Sequence, residues 1–208
     1  MLGLYIGIIL LLNIPYVQHR MSVLVAKELS TVLGSELTVG RINIGLLNRI
    51  IIDDLVLNDQ SGKELLKIGR LSAKFEILPL FSGKISIGNV QLFSFNANLE
   101  RPTPQASTNF QFVLDAFASK DTVKKKSNLD LRINSLLIRR GKVSYDVLSA
   151  ESTPGKFNPQ HIRLSNILAN ISLKALQNDS VNAAIKRMSV EEEHSCLLYT
   201  SDAADDRI

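Results

Sequence analysis

The sequence predicts a mainly β protein with helices at its amino terminus, in which an open antiparallel sheet curls into a groove. Three observations predict this fold class. After Gly34, apolar and polar residues alternate along most of the chain, glycines separate the alternating runs, and the alternation slips by one residue inside several of them. A bulge at each slip keeps the apolar residues on one face and bends the strand. We therefore expect long, bent strands that share one apolar face.

Residues 1–17 are predicted to be a transmembrane signal anchor. The stretch reads LGLYIGIILLLNIPYV from Leu2 to Val17 and is apolar apart from Asn13 and two tyrosines. Sixteen helical residues span about 24 Å, less than the roughly 30 Å hydrocarbon core, so we expect the true start to lie upstream of Met1. A cleavable signal peptide is one alternative, but the basic start and the small-residue cleavage site are missing. A buried helix of a soluble domain is the other.

Residues 18–35 are predicted to form an amphipathic helix. Apolar side chains recur there at steps of three and four residues, namely Val17, Met21, Leu24, Val25, Leu29, Val32 and Leu33. Gly34 stands where a carboxyl-terminal cap belongs. Two placements fit this pattern: the helix lies on a membrane surface, or it caps a β-structure.

Residues 36–101 and 129–195 are predicted to form the two parts of the β-groove. The segment 102–128 between them begins with Pro102 and Pro104 and is predicted to be a linker. It carries a short helix at about 109–119, because Phe110, Val113, Leu114 and Phe117 follow helical spacing, with Asn109 as its N-cap. The basic run Lys124–Lys126 in this linker is interpreted as a solvated connector.

Residues 196–208 are excluded from the prediction of the fold. The text from Cys196 to Asp206 resembles the translation of a transposon-type sequencing adapter, so we expect it not to be native. Cys196 is the only cysteine, and the remaining chain therefore offers no disulfide and no thiolate ligand. We also expect that the reading frame was cut here and that the chain is an amino-terminal fragment.

In the order of its segments, the chain resembles the amino-terminal part of TamB proteins, within the AsmA-like group of envelope proteins. The resemblance covers nearly all of residues 1–195. It is carried by the apolar anchor and by the segments LTVGRINIG from Leu37, NRIIIDDL from Asn48, RLSAK from Arg70, GKISI from Gly83, TNFQFVLD from Thr108 and LDLRINSL from Leu129. Their order and the anchor, more than any single motif, make the resemblance.

The resemblance implies a single-pass inner-membrane protein with the bulk of the chain in the periplasm. It implies an elongated β-groove that acts in outer-membrane biogenesis, as a phospholipid conduit between membranes, as a scaffold for the assembly of outer-membrane proteins, or as both. The expected partners are phospholipid acyl chains and, through a carboxyl-terminal part, an outer-membrane barrel protein of the TamA type. The alternative is a membrane-tethered structural or adhesive β domain with an ordinary closed core.

No enzyme chemistry is predicted from the residues. Asp53 and Asp54 are the one adjacent carboxylate pair in the predicted strands, and neighbours on a strand point to opposite faces unless a bulge intervenes. His19, His161 and His194 are isolated, no cluster has the spacing of metal ligands, and no glycine motif for phosphates occurs. We therefore expect no catalytic residue, no cofactor and no metal.

Four phenylalanines are considered as lining of a lipid-binding groove: Phe93, Phe95, Phe110 and Phe112. Ordinary packing between a sheet and a helix explains them as well, so the ligand-binding residues stay unassigned. No nucleic-acid partner is expected, because the net charge of +4 comes from scattered basic residues without aromatics interleaved.

Overall fold

The computed structural model describes residues 3, 7, 10–45, 48–76, 86–118, 134–153, 156–177, 180–192 and 197–202. They form two helices, α1 (Pro15–Leu33) and α2 (Gln111–Ala118), and one eight-stranded sheet. The strands are β1 (Leu37–Gly45), β2 (Arg49–Asn58), β3 (Glu64–Glu76), β4 (Ser86–Arg101), β5 (Ser135–Val147), β6 (His161–Gln177), β7 (Ser180–Glu192) and β8 (Leu197–Asp202). The order in the sheet is the order in the sequence, and β1 and β8 are its two edges. The predicted mainly β class with an open sheet is confirmed.

One pair of strands departs from the expected antiparallel arrangement. β4 and β5 are parallel, with Asn89 opposite Ser135 and Arg101 opposite Val147, whereas every other neighbouring pair is antiparallel. Parallel neighbours require the chain to return from one end of the sheet to the other, which needs a connection of a dozen residues or more. The predicted linker lies in this connection, so the linker marks the place where the sheet changes from antiparallel to parallel pairing.

Helix α2 lies in that connection at residues 111–118, close to the predicted 109–119, but Asn109 has another role than the predicted cap. Its Oδ1 accepts a hydrogen bond from the Glu100 backbone N–H at 2.9 Å, and its Nδ2 donates to the Asn98 carbonyl at 3.1 Å. The side chain therefore fastens the segment before α2 to strand β4.

A line of irregular backbone crosses the sheet from β1 to β5 and is called the crease below. It consists of residues that lie opposite one another on neighbouring strands, namely Gly40, Asp54, Gly69, Ser94 and Arg140. Asp54, Ser94 and Arg140 have φ of 56°, 53° and 55°, a left-handed conformation that side chains rarely adopt inside a strand. On β6, Asn166 beside the crease has φ 49°.

The crease resets the alternation of side chains. Ile42 and Ile68, on opposite sides of the crease, are 4% and 5% exposed, whereas Arg41 and Arg70, next to it, are exposed. Strict alternation along β1 would place the buried Ile42 on the same face as Thr38, and strand pairing places Lys67 on that face too. Thr38 and Lys67 are exposed. Burial instead follows the apolar residues on both sides of the crease, so the sheet keeps one apolar face along its length.

The core in the described part of the chain lies where both helices meet the first strands. Leu33 of α1, Leu37, Leu57, Leu65 and Val113 of α2 form one buried cluster. Further apolar residues pack around it: Ala26, Leu29, Val39, Leu66, Leu99, Phe110, Phe112 and Ala116. This cluster therefore lies at the end of the apolar face on the β1 Leu37 side of the crease.

Helix α1 lies along the free edge of β1. The Ser30 hydroxyl accepts a hydrogen bond from the Leu37 N–H at 2.9 Å and donates to the Leu37 carbonyl at 3.3 Å. Asn13 Nδ2 donates to the Ile44 carbonyl at 2.8 Å, and Gln18 Nε2 donates to Asn43 Oδ1 at 2.6 Å. Of the two placements left open for the amphipathic helix, the structure has the one in which it caps the β-structure.

The packed side of α1 differs from the predicted apolar stripe. Gln18, Ser22 and Leu33 are its buried residues, whereas Leu24 and Val32 are 64% and 45% exposed. The reason is that a sheet edge presents backbone N–H and C=O groups, so small and polar side chains fit against it better than leucine. Helical periodicity alone does not show which face meets such an edge.

The amino-terminal boundary also differs from the prediction. Helix α1 begins at Pro15 rather than at residue 18 and ends at Leu33, and its carboxyl end is capped by Gly34 in the left-handed conformation. Among the described residues, no helix has the length and apolar character needed to span a membrane. Most of the predicted anchor, including residues 1, 2, 4–6, 8 and 9, lies outside the described residues.

The segment that was excluded from the fold forms the last strand. Leu197–Asp202 make up β8, which pairs with Arg187–Glu192 of β7. An open strand edge accepts almost any extended segment, since the pairing uses backbone groups. The expectation that residues 196–208 are not native concerns their origin and stays a prediction.

Candidate functional site

Two rows of apolar side chains run across seven strands and form the candidate site; they are called the apolar rows below. Each row follows directly opposed residues from β1 to β7. The first row is Ile42, Ile52, Leu71, Leu92, Ile138, Ala169 and Met188, and the second is Ile44, Ile50, Ala73, Val90, Leu136, Ile171 and Ile185. Residues two apart on a strand share a face, so both rows lie on the same side from β1 to β6. On β7 the two members are three residues apart, and a register shift between β6 and β7 absorbs the extra residue.

The row between them is mostly polar and faces the other side of the sheet. It runs through Asn43, Ile51, Ser72, Gln91, Leu137, Asn170 and Arg187. Six neighbouring strands therefore repeat the same alternation in register, and β7 follows it with one extra residue, Lys186. The spacing within any one strand does not reveal this.

The apolar rows lie outside the core cluster, and α1 runs past their β1 end, where it hydrogen-bonds Asn43 and Ile44. Most members are half-buried by their strand neighbours, and Ile185, at the β7 end, is 52% exposed. With strands spaced about 4.8 Å apart, seven strands give a band roughly 29 Å long. An uninterrupted apolar band of this length is typical of a binding surface.

The four phenylalanines are divided between different surroundings. Phe95 lies opposite Ile68, on the apolar face, and its ring covers Gly141. Phe93 lies in the row of Arg70 and Arg139, on the polar face, and the Arg139 guanidinium lies 5.6 Å from the centroid of its ring.

Phe110 and Phe112 pack against the core cluster beside α2. Phe93 and Phe95 are two residues apart on β4, yet they lie on opposite faces because Ser94 between them lies in the crease. Of the four, only Phe95 belongs to the apolar face of the sheet.

The crease brings Asp53 and Asp54 together, contrary to the expectation for strand neighbours. Both line one cavity of about 440 Å³ with Arg41 and Arg70, because the left-handed backbone at Asp54 acts as the intervening irregularity. Arg70 Nε donates to Asp53 Oδ1 at 2.6 Å, and this hydrogen bond and the charges of both carboxylates raise the pKa of Arg70. Asp53 thus forms an ion pair with Arg70, which does not suit it to an acid/base pair with Asp54.

His161 is part of a network at the far end of β5 and β6. Its Nδ1 lies 2.8 Å from Asp146 Oδ1, its Nε2 lies 3.1 Å from the Ala150 carbonyl, and Arg163 binds the other carboxylate oxygen at 2.9 Å. The hydrogen bond to Asp146, followed by the one to Ala150, raises the pKa of His161. Burial would raise the pKa of Asp146, but the hydrogen bonds from His161 and Arg163 outweigh it and lower that pKa.

The other histidines considered in the sequence do not form a site in the described part of the chain. His19 is exposed on α1, and His194 lies outside the described residues. Within the described ranges, no group of three His, Cys, Asp or Glu residues is placed to hold a metal ion. The Asp146 network borders an open polar cavity of about 470 Å³ whose charges are mixed, with Lys63 and Lys142 opposite Glu64 and Glu100.

Comparison of the chain with models of known protein families gives no match, and comparison with curated protein sequences gives none either.

Proposed function

We propose that the apolar rows bind the acyl chains of phospholipids and that the chain serves lipid transport in the bacterial envelope. The observation that carries this proposal is the pair of apolar rows across seven strands, which lie outside the core cluster and are mostly half-buried. Each CH₂ group of an acyl chain that moves from water to such a surface contributes about 0.8 kcal/mol. Binding of this kind needs continuous apolar surface and no catalytic residue.

The wider setting is proposed from the resemblance to TamB and AsmA-like proteins. In this proposal the chain is anchored in the inner membrane, its sheet lies in the periplasm, and it carries phospholipid towards the outer membrane. Assembly of outer-membrane proteins with a barrel partner of the TamA type is the second candidate. It is favoured by one feature: residues 180–186 of β7 have no described strand on the side of β8, which pairs only with Arg187–Glu192.

The alternative of a tethered structural or adhesive domain requires a closed core. In such a domain a second layer covers the apolar face of the sheet. The described strands form one sheet, and β1 and β8 are its unjoined edges. An open single sheet supports the lipid proposal better.

Two neighbouring leucines on β5 allow a matched test. Leu136 belongs to the second apolar row, whereas Leu137 lies in the polar row between Gln91 and Asn170, and both are half-buried. A photo-crosslinking amino acid at Leu136 is expected to capture phospholipid in cells, as measured by mass spectrometry of the purified adduct. The same residue at Leu137 is the control and is expected to capture little. Equal capture at both positions, or none at Leu136 in a folded protein, contradicts the proposal.

A further inference from the structure

Three rows on the face of the sheet opposite the apolar rows carry an excess of positive charge, and the first of them lies beside the crease. This row runs through Arg41, Asp53, Arg70, Phe93 and Arg139 on β1 to β5. All three arginines are exposed. Asp53, whose side chain is 18% exposed, is paired with Arg70. The row therefore presents a net positive charge.

Two further rows on the same face add four cations, and neither row contains an Asp or Glu on strands β1 to β5. Arg49 and Lys74 are opposite one another two rows further along, and Lys67 and Lys142 lie in one row on the other side of the crease. All four are exposed. In the crease itself, Asp54 and Arg140 offset each other in charge.

Strand pairing thus gathers seven exposed cations against one carboxylate in these three rows, although the whole chain has a net charge of only +4. Beyond the rows, Glu64, Glu100 and Asp146 share a cavity with Lys142. The seven are distant in sequence, so no basic run reveals them. They are called the cationic face below and consist of Arg41, Arg49, Lys67, Arg70, Lys74, Arg139 and Lys142.

We propose that the cationic face binds the surface of a membrane that contains anionic phospholipids. Its cations are spread over five strands and on both sides of the crease, which matches a layer of headgroup phosphates better than a single bound anion. Each Lys or Arg near an anionic bilayer contributes to such attraction, and guanidinium forks bind phosphate oxygens in pairs.

A nucleic acid is a poorer match to this face. Binding of a single strand combines a charged groove with aromatic rings on which bases stack. Phe93 is the aromatic residue in these rows of the described sheet, and Arg139 already lies over its ring at 5.6 Å. The charge complementarity therefore favours a lipid surface.

The proposal does not rest on the proposed function, because the two faces of the sheet are tested separately. The full chain is mixed with vesicles of phosphatidylcholine alone, or of phosphatidylcholine with 30% phosphatidylglycerol, and bound protein is measured by flotation. We expect binding only to the anionic vesicles, with a marked loss when NaCl is raised from about 50 to 300 mM, since salt screens exposed charges.

A variant with Arg49, Lys67, Lys74 and Lys142 replaced by Gln is expected to bind the anionic vesicles about tenfold more weakly or worse. These four side chains are exposed, so the fold should tolerate the change, and circular dichroism checks it. The control replaces four exposed cations outside these rows by Gln, namely Arg20, Lys27, Lys156 and Lys186, and alters the net charge equally. It is expected to bind within about twofold of the unaltered chain.

Three outcomes overturn the proposal. Equal losses in both variants mean that net charge, and not the cationic face, determines binding. Equal binding to neutral and anionic vesicles means that apolar insertion determines it. Tighter binding to a single-stranded oligonucleotide than to the anionic vesicles, lost in the first variant alone, assigns the face to nucleic acid instead.

Discussion

At the scale of single residues, the contact between Gly141 and Phe95 shows how the sheet uses glycine beside the crease. A Cβ at position 141 would overlap the Phe95 ring, so the ring occupies the space that any other residue would need. An aromatic ring over a glycine of a neighbouring strand protects backbone that would otherwise be bare. The sequence shows both residues, but their contact depends on the parallel pairing of β4 and β5, which was not predicted.

Replacement of Gly141 by Ala is expected to lower the free energy of unfolding by about 1–3 kcal/mol, because the added methyl group displaces the ring. Urea denaturation measures the change. In the Phe95→Ala background the same substitution should cost much less, since the obstructing ring is gone. Equal costs in both backgrounds would show that the ring does not limit residue 141.

The His161 network is a second residue-scale feature, and it makes stability depend on pH. Both ring nitrogens face acceptors, Asp146 and the Ala150 carbonyl, so the doubly protonated ring satisfies both. Arg163 also faces the carboxylate, and Glu100 lies opposite Asp146 on β4. Because folding raises the pKa of His161, its stabilising effect is fully present below the unfolded pKa of about 6.5 and is lost as the pH rises through the folded value.

The His161→Gln variant tests this dependence. We expect the difference in urea midpoint between the unaltered chain and the variant to be largest at about pH 5.5 and to shrink above the ordinary histidine pKa of roughly 6.5. His19→Gln, at an exposed position on α1, is the matched control and should show no such trend. A difference that grows with pH would contradict the assignment of a charged His161.

At the scale of elements, α1 shows what periodicity can and cannot predict. The helix and its Gly34 cap follow from the spacing of apolar residues, whereas its docking face does not, because hydrogen bonds to an exposed strand edge determine that face. Ser30 was not among the predicted apolar positions, yet it binds both backbone groups of Leu37. A serine in the stripe that faces a predicted first strand is the signal that would have identified it.

Removal of the Ser30 hydroxyl tests the edge contact. Ser30→Ala is expected to lower the free energy of unfolding by about 1–3 kcal/mol, since it leaves the half-buried groups of Leu37 without their partner. Thr31→Ala, which removes an exposed hydroxyl that binds only the Lys27 carbonyl within the helix, should cost about 0.5 kcal/mol or less. Similar small losses in both variants would mean that water replaces Ser30 at the edge.

At the scale of the whole molecule, the alternation of residues predicts the class and the openness of the sheet. The register across seven strands is not predictable in this way, since it depends on the crease and on the parallel pair. Both the apolar rows and the cationic face arise from that register. This is why the spacing of residues in the sequence does not identify either surface, and a comparison of opposed strands does.

The strand order, identical to the order in the sequence, has a consequence for folding kinetics. β1–β4 and β5–β8 each join strands that are neighbours in the chain, so each half can form by successive local pairing. The parallel pair between Arg101 and Ser135 closes a far longer loop, and the entropy of closing a loop grows with its length. Chains with mostly local contacts fold fast, and a long-range pairing slows them. The connectivity therefore predicts that each half forms rapidly and that the docking of the two halves limits the overall rate of folding.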